Sequence, residues 1–130
     1  MFNYQEYLEK SNALSFEEAL VMYNQIHGSA DSEDEDFNFL WSSVIEAASD
    51  YVKKRNDWLT YTKEQKQQMD ASRTAQHNAF MATLQPLARY MTMKEWDATW
   101  YDALINVEHE RQKQGDFAGY LLCLGCIQAR

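Results

Sequence analysis

The stretch FNFLWSSVIEAASDYVKKR, residues 37–55, decides the fold class of this chain. Its large apolar residues recur every three or four positions, so at about 100° per residue they share one face of an α-helix. Three basic residues end the stretch, where the negative end of a helix dipole favours positive charge. The pattern predicts an amphipathic helix whose apolar face lies in a core. The residues on that face are Phe37, Leu40, Trp41, Val44, Ile45, Ala48, Tyr51 and Val52.

Two further helices are predicted before this stretch. The first is short and lies around Tyr4 and Leu8. The second begins at a capping box, in which Ser15 caps the backbone and Glu18 reaches back to it. Gly28 then supplies the backbone freedom that ends a helix.

Three more helices are predicted after residue 55. A capping box at 62–65 opens a long helix, which Pro86 should end or kink. Another capping box, at 92–95, opens a shorter helix, and Asp116 is the predicted N-cap of a final helix that runs to Gln128. The whole pattern predicts one all-α domain over residues 1–130, folded as a compact bundle of five to six helices.

The final helix is apolar nearly all round. Bulky side chains share one arc and small residues share the other, which predicts a helix in the centre of the fold or in a subunit interface. Cys123 and Cys126 form a Cys-x-x-Cys pair on the small arc. A redox pair would need the N-terminal end of a helix, and zinc would need two more ligands. The pair is therefore interpreted as a place where helices approach closely, and no cofactor is predicted.

The net charge of −8 lies in the first half of the chain, because residues 1–62 hold 12 acidic and 4 basic residues. This charge disfavours direct binding to a nucleic-acid backbone. The acids between residues 31 and 36 either cap the next helix, with a capping box of Ser32 and Glu35, or form a docking surface for a basic protein partner. They do not fit an EF-hand, which needs a glycine at position 6 and a glutamate at position 12, and no metal site is predicted. These acids are Asp31, Glu33, Asp34, Glu35 and Asp36.

Arg73 lies among the apolar positions of the long helix, with His77 at their edge. A charge on a buried face costs several kcal/mol unless it is paired, so we expect a carboxylate partner from another helix. Three interpretations remain open. Arg73 forms a structural ion pair, or a polar pocket of Arg73, His77, Arg111 and Asp116 binds a small anion or the carboxylate of a partner, or the Arg73 side chain only extends along the surface to reach water. The candidate partners, in order of preference, are Asp116, Asp97 and Asp102.

From Arg73 onward the chain carries the segments SRTAQHNAF, LARYM and GDFAGYLL, with Trp100, Leu104 and Arg111 between them. This layout resembles a family of small helical proteins from Firmicute-type bacteria whose activity is unknown. The resemblance covers a little under half of the chain. It implies a cytoplasmic bacterial setting and brings no catalytic residues to carry over.

The sequence contains no Gly-rich phosphate loop, no G-x-S-x-G and no HExxH motif. We therefore expect a non-catalytic interaction module, such as a regulator or immunity-type inhibitor, which uses its acidic half to bind another protein or pairs with itself. The alternative is a small anionic-ligand binder or enzyme built around Arg73, His77 and Asp116. The start of the chain lacks a secretion signal, and the longest apolar run of about 11 residues is shorter than the ~20 of a membrane span, so a cytoplasmic protein is expected.

Overall fold

A computed structural model describes residues 4–10 and 13–128, with side chains at 6–9 and 13–125. Across these residues the chain forms six helices and no strand, and helices make up 81% of the structure. The predicted all-α bundle is confirmed. The helices are α1 (Tyr4–Lys10), α2 (Phe16–Ser29), α3 (Glu35–Thr60), α4 (Lys63–Met93), α5 (Thr99–Asp102) and α6 (Glu110–Gln128).

α3 and α6 form the centre of this arrangement. Only two residues separate α3 from α4, and these two long helices share the most extensive contact in the fold. α6 packs on α3, and α1 and α2 pack on α6. Residues 114–121 of α6 are all buried. The apolar final helix therefore lies in the interior of the fold along this segment.

Aromatic side chains fill much of the core. Tyr51 of α3 stacks on Phe80 of α4 with ring centroids 5.9 Å apart, and Trp100 stacks on Phe117 of α6 at 6.5 Å. All four side chains are almost completely buried. Burying a large apolar side chain stabilises a fold by about 1.5–3 kcal/mol, so these contacts hold α3, α4, α5 and α6 together.

Two of the predicted capping boxes are confirmed. Ser15 accepts a hydrogen bond from the backbone N–H of Glu18, whose side chain accepts one from the Ser15 N–H. Thr62 and Gln65 repeat this arrangement at the start of α4. Each N-cap stabilises its helix by about 1 kcal/mol, which sets where α2 and α4 begin.

The predicted capping box of Ser32 and Glu35 is wrong, because Asp34 is the N-cap of α3. Its Oδ1 accepts a hydrogen bond of 2.9 Å from the backbone N–H of Phe37. The hydroxyl of Tyr90 also donates to this carboxylate, at 2.8 Å from Oδ2. The contact with α4 gives Asp34 a partner that a local sequence motif does not reveal.

Pro86 does not end α4, which continues to Met93. A proline inside a helix costs about 3 kcal/mol because it removes a hydrogen bond and crowds the preceding turn. Leu84 and Leu87, which flank it, are fully buried, while Pro86 itself is exposed. Two buried leucines contribute about 1.5–3 kcal/mol each, so core packing outweighs the proline.

The predicted capping box of Thr92 and Glu95 is also wrong. The chain leaves α4 there, and Glu95 adopts a left-handed backbone with φ 63°. The single turn of α5 follows, where the carboxylate of Asp97 accepts hydrogen bonds from the backbone and the hydroxyl of Thr99. The tertiary turn at this point replaces the helix start that the sequence motif predicts.

The start of the final helix differs from the prediction. α6 begins at Glu110, so Asp116 is an interior residue of the helix rather than its N-cap. On the small arc of α6, helices approach closely at Gly119, where a Cβ atom would lie 2.6 Å from Cε1 of Tyr7 in α1. At Gly125, between the two cysteines, no described neighbour lies within 4 Å of the Cβ position, so the close approach predicted for the cysteine pair is not found there. Cys123 is partly buried, and the side chain of Cys126 lies outside the described residues.

The membrane expectation can be compared with the helices directly. Within residues 4–10 and 13–128, none of the helices combines the length and the apolar character that a membrane span requires.

Candidate functional site

Asp116 of α6 forms a buried ion pair with Arg55 of α3. The Asp116 side chain is fully buried, and its Oδ1 lies 3.3 Å from Nη1 of Arg55. Its Oδ2 accepts a hydrogen bond of 3.0 Å from the backbone N–H of Leu14. A charge in a protein interior requires such partners. The pair therefore joins α3, α6 and the segment before α2.

Tyr7 of α1 extends this network. Arg55 donates to the Tyr7 hydroxyl at 2.9 Å, and that hydroxyl donates to the carbonyl of Gly115 at 2.9 Å. Burial alone would lower the pKa of Arg55, but the Tyr7 oxygen and the Asp116 carboxylate outweigh it and raise that pKa. Burial also raises the pKa of Tyr7. Arg55 is therefore a permanent cation, and Tyr7 is a neutral donor.

Gly115 makes room for the Arg55 side chain. A Cβ atom at this position would lie 2.5 Å from Nε and 2.6 Å from Cζ of Arg55. Non-bonded heavy atoms favour separations of about 3.5–4.0 Å, so any side chain here would collide with the guanidinium. The glycine lets α6 pass directly beside Arg55.

Next to this network, α3, α4 and α6 line a cavity of about 310 Å³. Three of the five arginines in the chain line it, although the chain as a whole has a net charge of −8. We call this cavity the arginine pocket. Its lining residues are Tyr51, Arg55, Trp58, Leu59, Arg73, Arg111 and Gln112.

The predicted pairing of Arg73 with Asp116 is wrong. Arg73 instead meets the exposed Asp70 one turn earlier in α4, with Nη2 3.2 Å from Oδ1. Its Cζ lies 4.4 Å from the ring centroid of Trp58, a cation–π contact. Its Nε is buried and has no hydrogen-bond partner among the described residues. Arg73 therefore lines the pocket with one buried donor unsatisfied and with only the exposed Asp70 as an ion-pair partner among the described residues.

Asp116 pairs with Arg55 because of the way α6 packs. α6 makes extensive contact with α3 and little with α4. An acid in the interior of α6 thus faces the arginine of α3 and not Arg73 of α4. The choice of Asp116 as a buried ion-pair residue is right, and the choice of its partner is not.

Arg111 brings a third positive charge to the pocket. It is the second residue of α6 and is exposed, and it forms no ion pair within the described part of the chain. Burial raises the pKa of Tyr51, whereas the guanidinium groups of Arg55, Arg73 and Arg111 all lower it. The three positive charges therefore converge around the phenol of Tyr51.

His77 lies behind the pocket and does not line it. The Nε2 atom of Gln114 donates to the carbonyl of Leu104 at 2.7 Å, which turns its Oε1 towards His77. The Nε2 atom of His77 lies 2.6 Å from that Oε1 and must donate to it. The His77 ring also packs on Tyr51, with centroids 5.4 Å apart. Burial lowers the pKa of His77, so a neutral imidazole supports the Tyr51 wall.

The structure thus brings only part of the predicted polar group together. Arg73 and Arg111 line the pocket, while His77 and Asp116 support it from inside the core. Arg55 lines the pocket as well, although the sequence pattern assigns it only to the end of a helix. It lies seven positions after Ala48, in the middle of the apolar face of α3, and is only 5% exposed. That position identifies it as a buried cation.

The acidic group before α3 divides into two parts. Asp31, Glu33, Glu35 and Asp36 are exposed. Asp34 is not part of this surface, because hydrogen bonds from the Phe37 N–H and the Tyr90 hydroxyl hold its carboxylate and lower its pKa.

A larger open cavity of about 520 Å³ lies at the other end of α4, between that helix and α5. Its charged lining residues are Arg89, Glu95 and Asp102, which carry both signs. The buried side-chain polar atoms that lack a partner in the described residues belong to His27, Arg73 and Trp100, none of which lines this cavity. The arginine pocket is therefore the better candidate for a binding site.

Comparison with known protein families, with curated proteins and with solved structures gives no match to this chain. The family resemblance therefore stays a prediction. Within the described residues, no three His, Cys, Asp or Glu side chains come together as metal ligands.

Proposed function

We propose that the protein binds a small phosphorylated ligand in the arginine pocket. The observation that carries this proposal is the convergence of Arg55, Arg73 and Arg111 on one cavity of about 310 Å³. A guanidinium presents a planar fork of donors that matches phosphate and carboxylate oxygens. Clustered guanidinium groups in a chain of net charge −8 are hard to explain by solubility or by general charge balance.

The charge balance of the pocket favours a phosphate over a carboxylate. Arg55 pairs with the buried carboxylate of Asp116, and no buried carboxylate among the described residues pairs with Arg73 or Arg111, which leaves two positive charges in excess. Asp70 stands at the rim with its side chain 59% exposed, so water screens much of its charge. A phosphate monoester carries a charge between −1.5 and −2 at pH 7, which matches this excess.

The three arginines have different roles in this proposal. Arg73 and Arg111 donate to the phosphate oxygens, because in the described structure Arg73 pairs only with the exposed Asp70 and Arg111 has no ion pair. Arg55 already donates to Tyr7 and Asp116, so it attracts the phosphate mainly through its positive charge rather than through new hydrogen bonds. Tyr51 lines the pocket between them, and its neutral hydroxyl is a further donor.

Isothermal titration calorimetry with inorganic phosphate at low ionic strength tests the proposal. Arg73→Gln and Arg111→Gln should each lower the phosphate affinity about tenfold, since a hydrogen bond to a charged group is among the stronger polar contacts. Arg89→Gln removes an exposed arginine from the far end of α4 and serves as the matched control. The proposal fails if the parent protein does not bind phosphate, or if Arg89→Gln has the same effect as Arg111→Gln.

A second candidate function is the docking of a basic protein partner on the acidic surface. One observation favours it: Phe39, one turn after Glu35 and Asp36 on α3, is 72% exposed. An exposed aromatic residue beside acids is a common feature of protein contacts. A lysine-rich amphipathic peptide should bind the parent chain and lose affinity with Phe39→Ser. Equal affinity for both proteins would remove this candidate.

A further inference from the structure

A second group of cations lies directly beside the arginine pocket. Lys63 and Lys66, in the first turns of α4, line an open cavity of about 380 Å³. Trp58 lines both this cavity and the arginine pocket. The indole ring is thus a shared wall between two positively charged recesses. We call the recess beside Lys63 and Lys66 the lysine subsite.

One cationic group from each recess contacts the ring of Trp58. Nζ of Lys66 lies 5.7 Å from the Trp58 ring centroid, and Cζ of Arg73 lies 4.4 Å from it. Lys66 and Arg73 are seven residues apart in α4, two turns along one face of the helix. A single ligand that crosses Trp58 can therefore meet both charges.

We infer that the ligand is a linear oligophosphate, with one phosphate in the arginine pocket and the next on the lysine subsite. This inference rests on the proposed phosphate site and adds to it the length and charge of the ligand. A chain of phosphates carries a negative charge on each phosphate. These charges can face the positive side chains of Lys63, Lys66 and Arg73, which follow one another along α4. The N-terminal end of α4, which begins at Lys63, adds the positive end of its dipole to the lysine subsite.

Asp70 stands at the boundary of the two recesses. It lines the lysine subsite and pairs with Arg73. An exposed ion pair contributes little, so a phosphate can replace the Asp70 carboxylate as the partner of Arg73. Asp70 then acts against binding, because its negative charge lies next to the bridging part of the ligand. Asp70→Asn should strengthen the binding of an oligophosphate.

The experiment compares orthophosphate with tripolyphosphate by calorimetry on the full chain. Tripolyphosphate should bind at least about tenfold more tightly than orthophosphate. The double substitution Lys63→Gln and Lys66→Gln should lower the affinity for tripolyphosphate about tenfold, because the loss of each exposed charge lowers it a few-fold. It should change the affinity for orthophosphate by less than about twofold. Lys53→Gln removes an exposed lysine from α3 and should change neither affinity.

The outcomes separate this inference from the function it extends. If neither anion binds the parent protein, the proposed phosphate site is wrong and the inference falls with it. If orthophosphate binds and tripolyphosphate binds no more tightly, the proposed phosphate site stands, and the inference that the ligand is an oligophosphate is wrong. Equal losses for both anions in the double lysine variant would likewise overturn the lysine subsite. Circular dichroism of each variant shows whether the helices remain intact.

Discussion

Gly115→Ala tests the packing of α6 on Arg55. In an exposed helix position this change stabilises a protein, because alanine is favoured over glycine by about 1 kcal/mol. At Gly115 the new Cβ atom would lie 2.5 Å from Nε of Arg55, and this guanidinium is held by Tyr7 and Asp116. The side chain cannot move aside without leaving its buried partners. We therefore expect the sign of the effect to reverse.

The magnitude follows from the two ways in which the fold can respond. If the helices shift and Arg55 stays, overpacking costs about 1–3 kcal/mol. If Arg55 is expelled, the buried ion pair with Asp116 is broken, and breaking a buried ion pair costs about 3–5 kcal/mol. In both cases the higher helix propensity of alanine offsets about 1 kcal/mol of the cost. Expulsion of Arg55 thus lowers the free energy of unfolding by about 2–4 kcal/mol, and a shift of the helices lowers it by less.

Urea unfolding followed by circular dichroism measures this difference. Gly28→Ala is the matched control, because Gly28 is helical and exposed and no described atom lies within 4 Å of its Cβ position. It should raise stability by up to about 1 kcal/mol. In an Arg55→Ala background, Gly115→Ala should also become favourable, because the colliding atoms are gone. A Gly115→Ala protein that is stabilised as much as the Gly28→Ala protein would contradict a collision with Arg55.

The remaining predictions concern pH and charge. Burial lowers the pKa of both His27 and His77 below the ordinary value of 6.5, so the unfolded chain takes up protons first as the pH falls. The stability contributed by these two residues should be complete above about pH 6.5 and decrease below it, and urea midpoints at pH 7.5 and 5.5 that show no decrease would contradict this. Tyr90→Phe removes the hydroxyl that donates to Asp34, so the depressed pKa of Asp34 should rise towards 3.8 in a carbon-detected NMR titration. Asp70→Asn should tighten tripolyphosphate binding in calorimetry, and weaker binding would show that Asp70 is no competitor for Arg73.

The sequence predicts those parts of the fold that depend on periodicity. The face of α3 that contains Val44 and Tyr51 is buried as expected. Apolar residues that recur every three to four positions lie on one face of a helix, and this face packs into the core. The apolar α6 lies inside the fold for a similar reason, since a helix without a polar face cannot remain in water. These features require no knowledge of the neighbouring elements.

Local motifs predict helix ends less well. Asp116 has the side chain of an N-cap, yet it lies inside α6, where Arg55 provides a stronger partner than a helix terminus. Pro86 should interrupt α4, yet the burial of Leu84 and Leu87 on either side holds the helix together. In each case a tertiary contact outweighs the local preference, and the sequence does not show which contact will form.

The candidate site was only partly predictable for the same reason. Arg73 stands out because it lies among apolar residues, and it does line the pocket. Arg55 ends a basic run that the sequence predicts to lie in the last turns of a helix, where the dipole would explain it, but α3 continues to Thr60 and its last turn holds no basic residue. The partner of Arg55 depends on how α6 packs, which is a property of the whole fold.

The arginine pocket can be tested most directly by following the arginine side chains themselves. A phosphate titration monitored by nitrogen NMR of the Nε–H groups reports which guanidinium gains a partner. The account predicts saturable shifts for Arg73, whose Nε has no partner in the described structure, and for Arg111, with Arg89 unchanged. Equal small shifts at Arg89 and Arg73, or none at either, would contradict a phosphate site in this pocket.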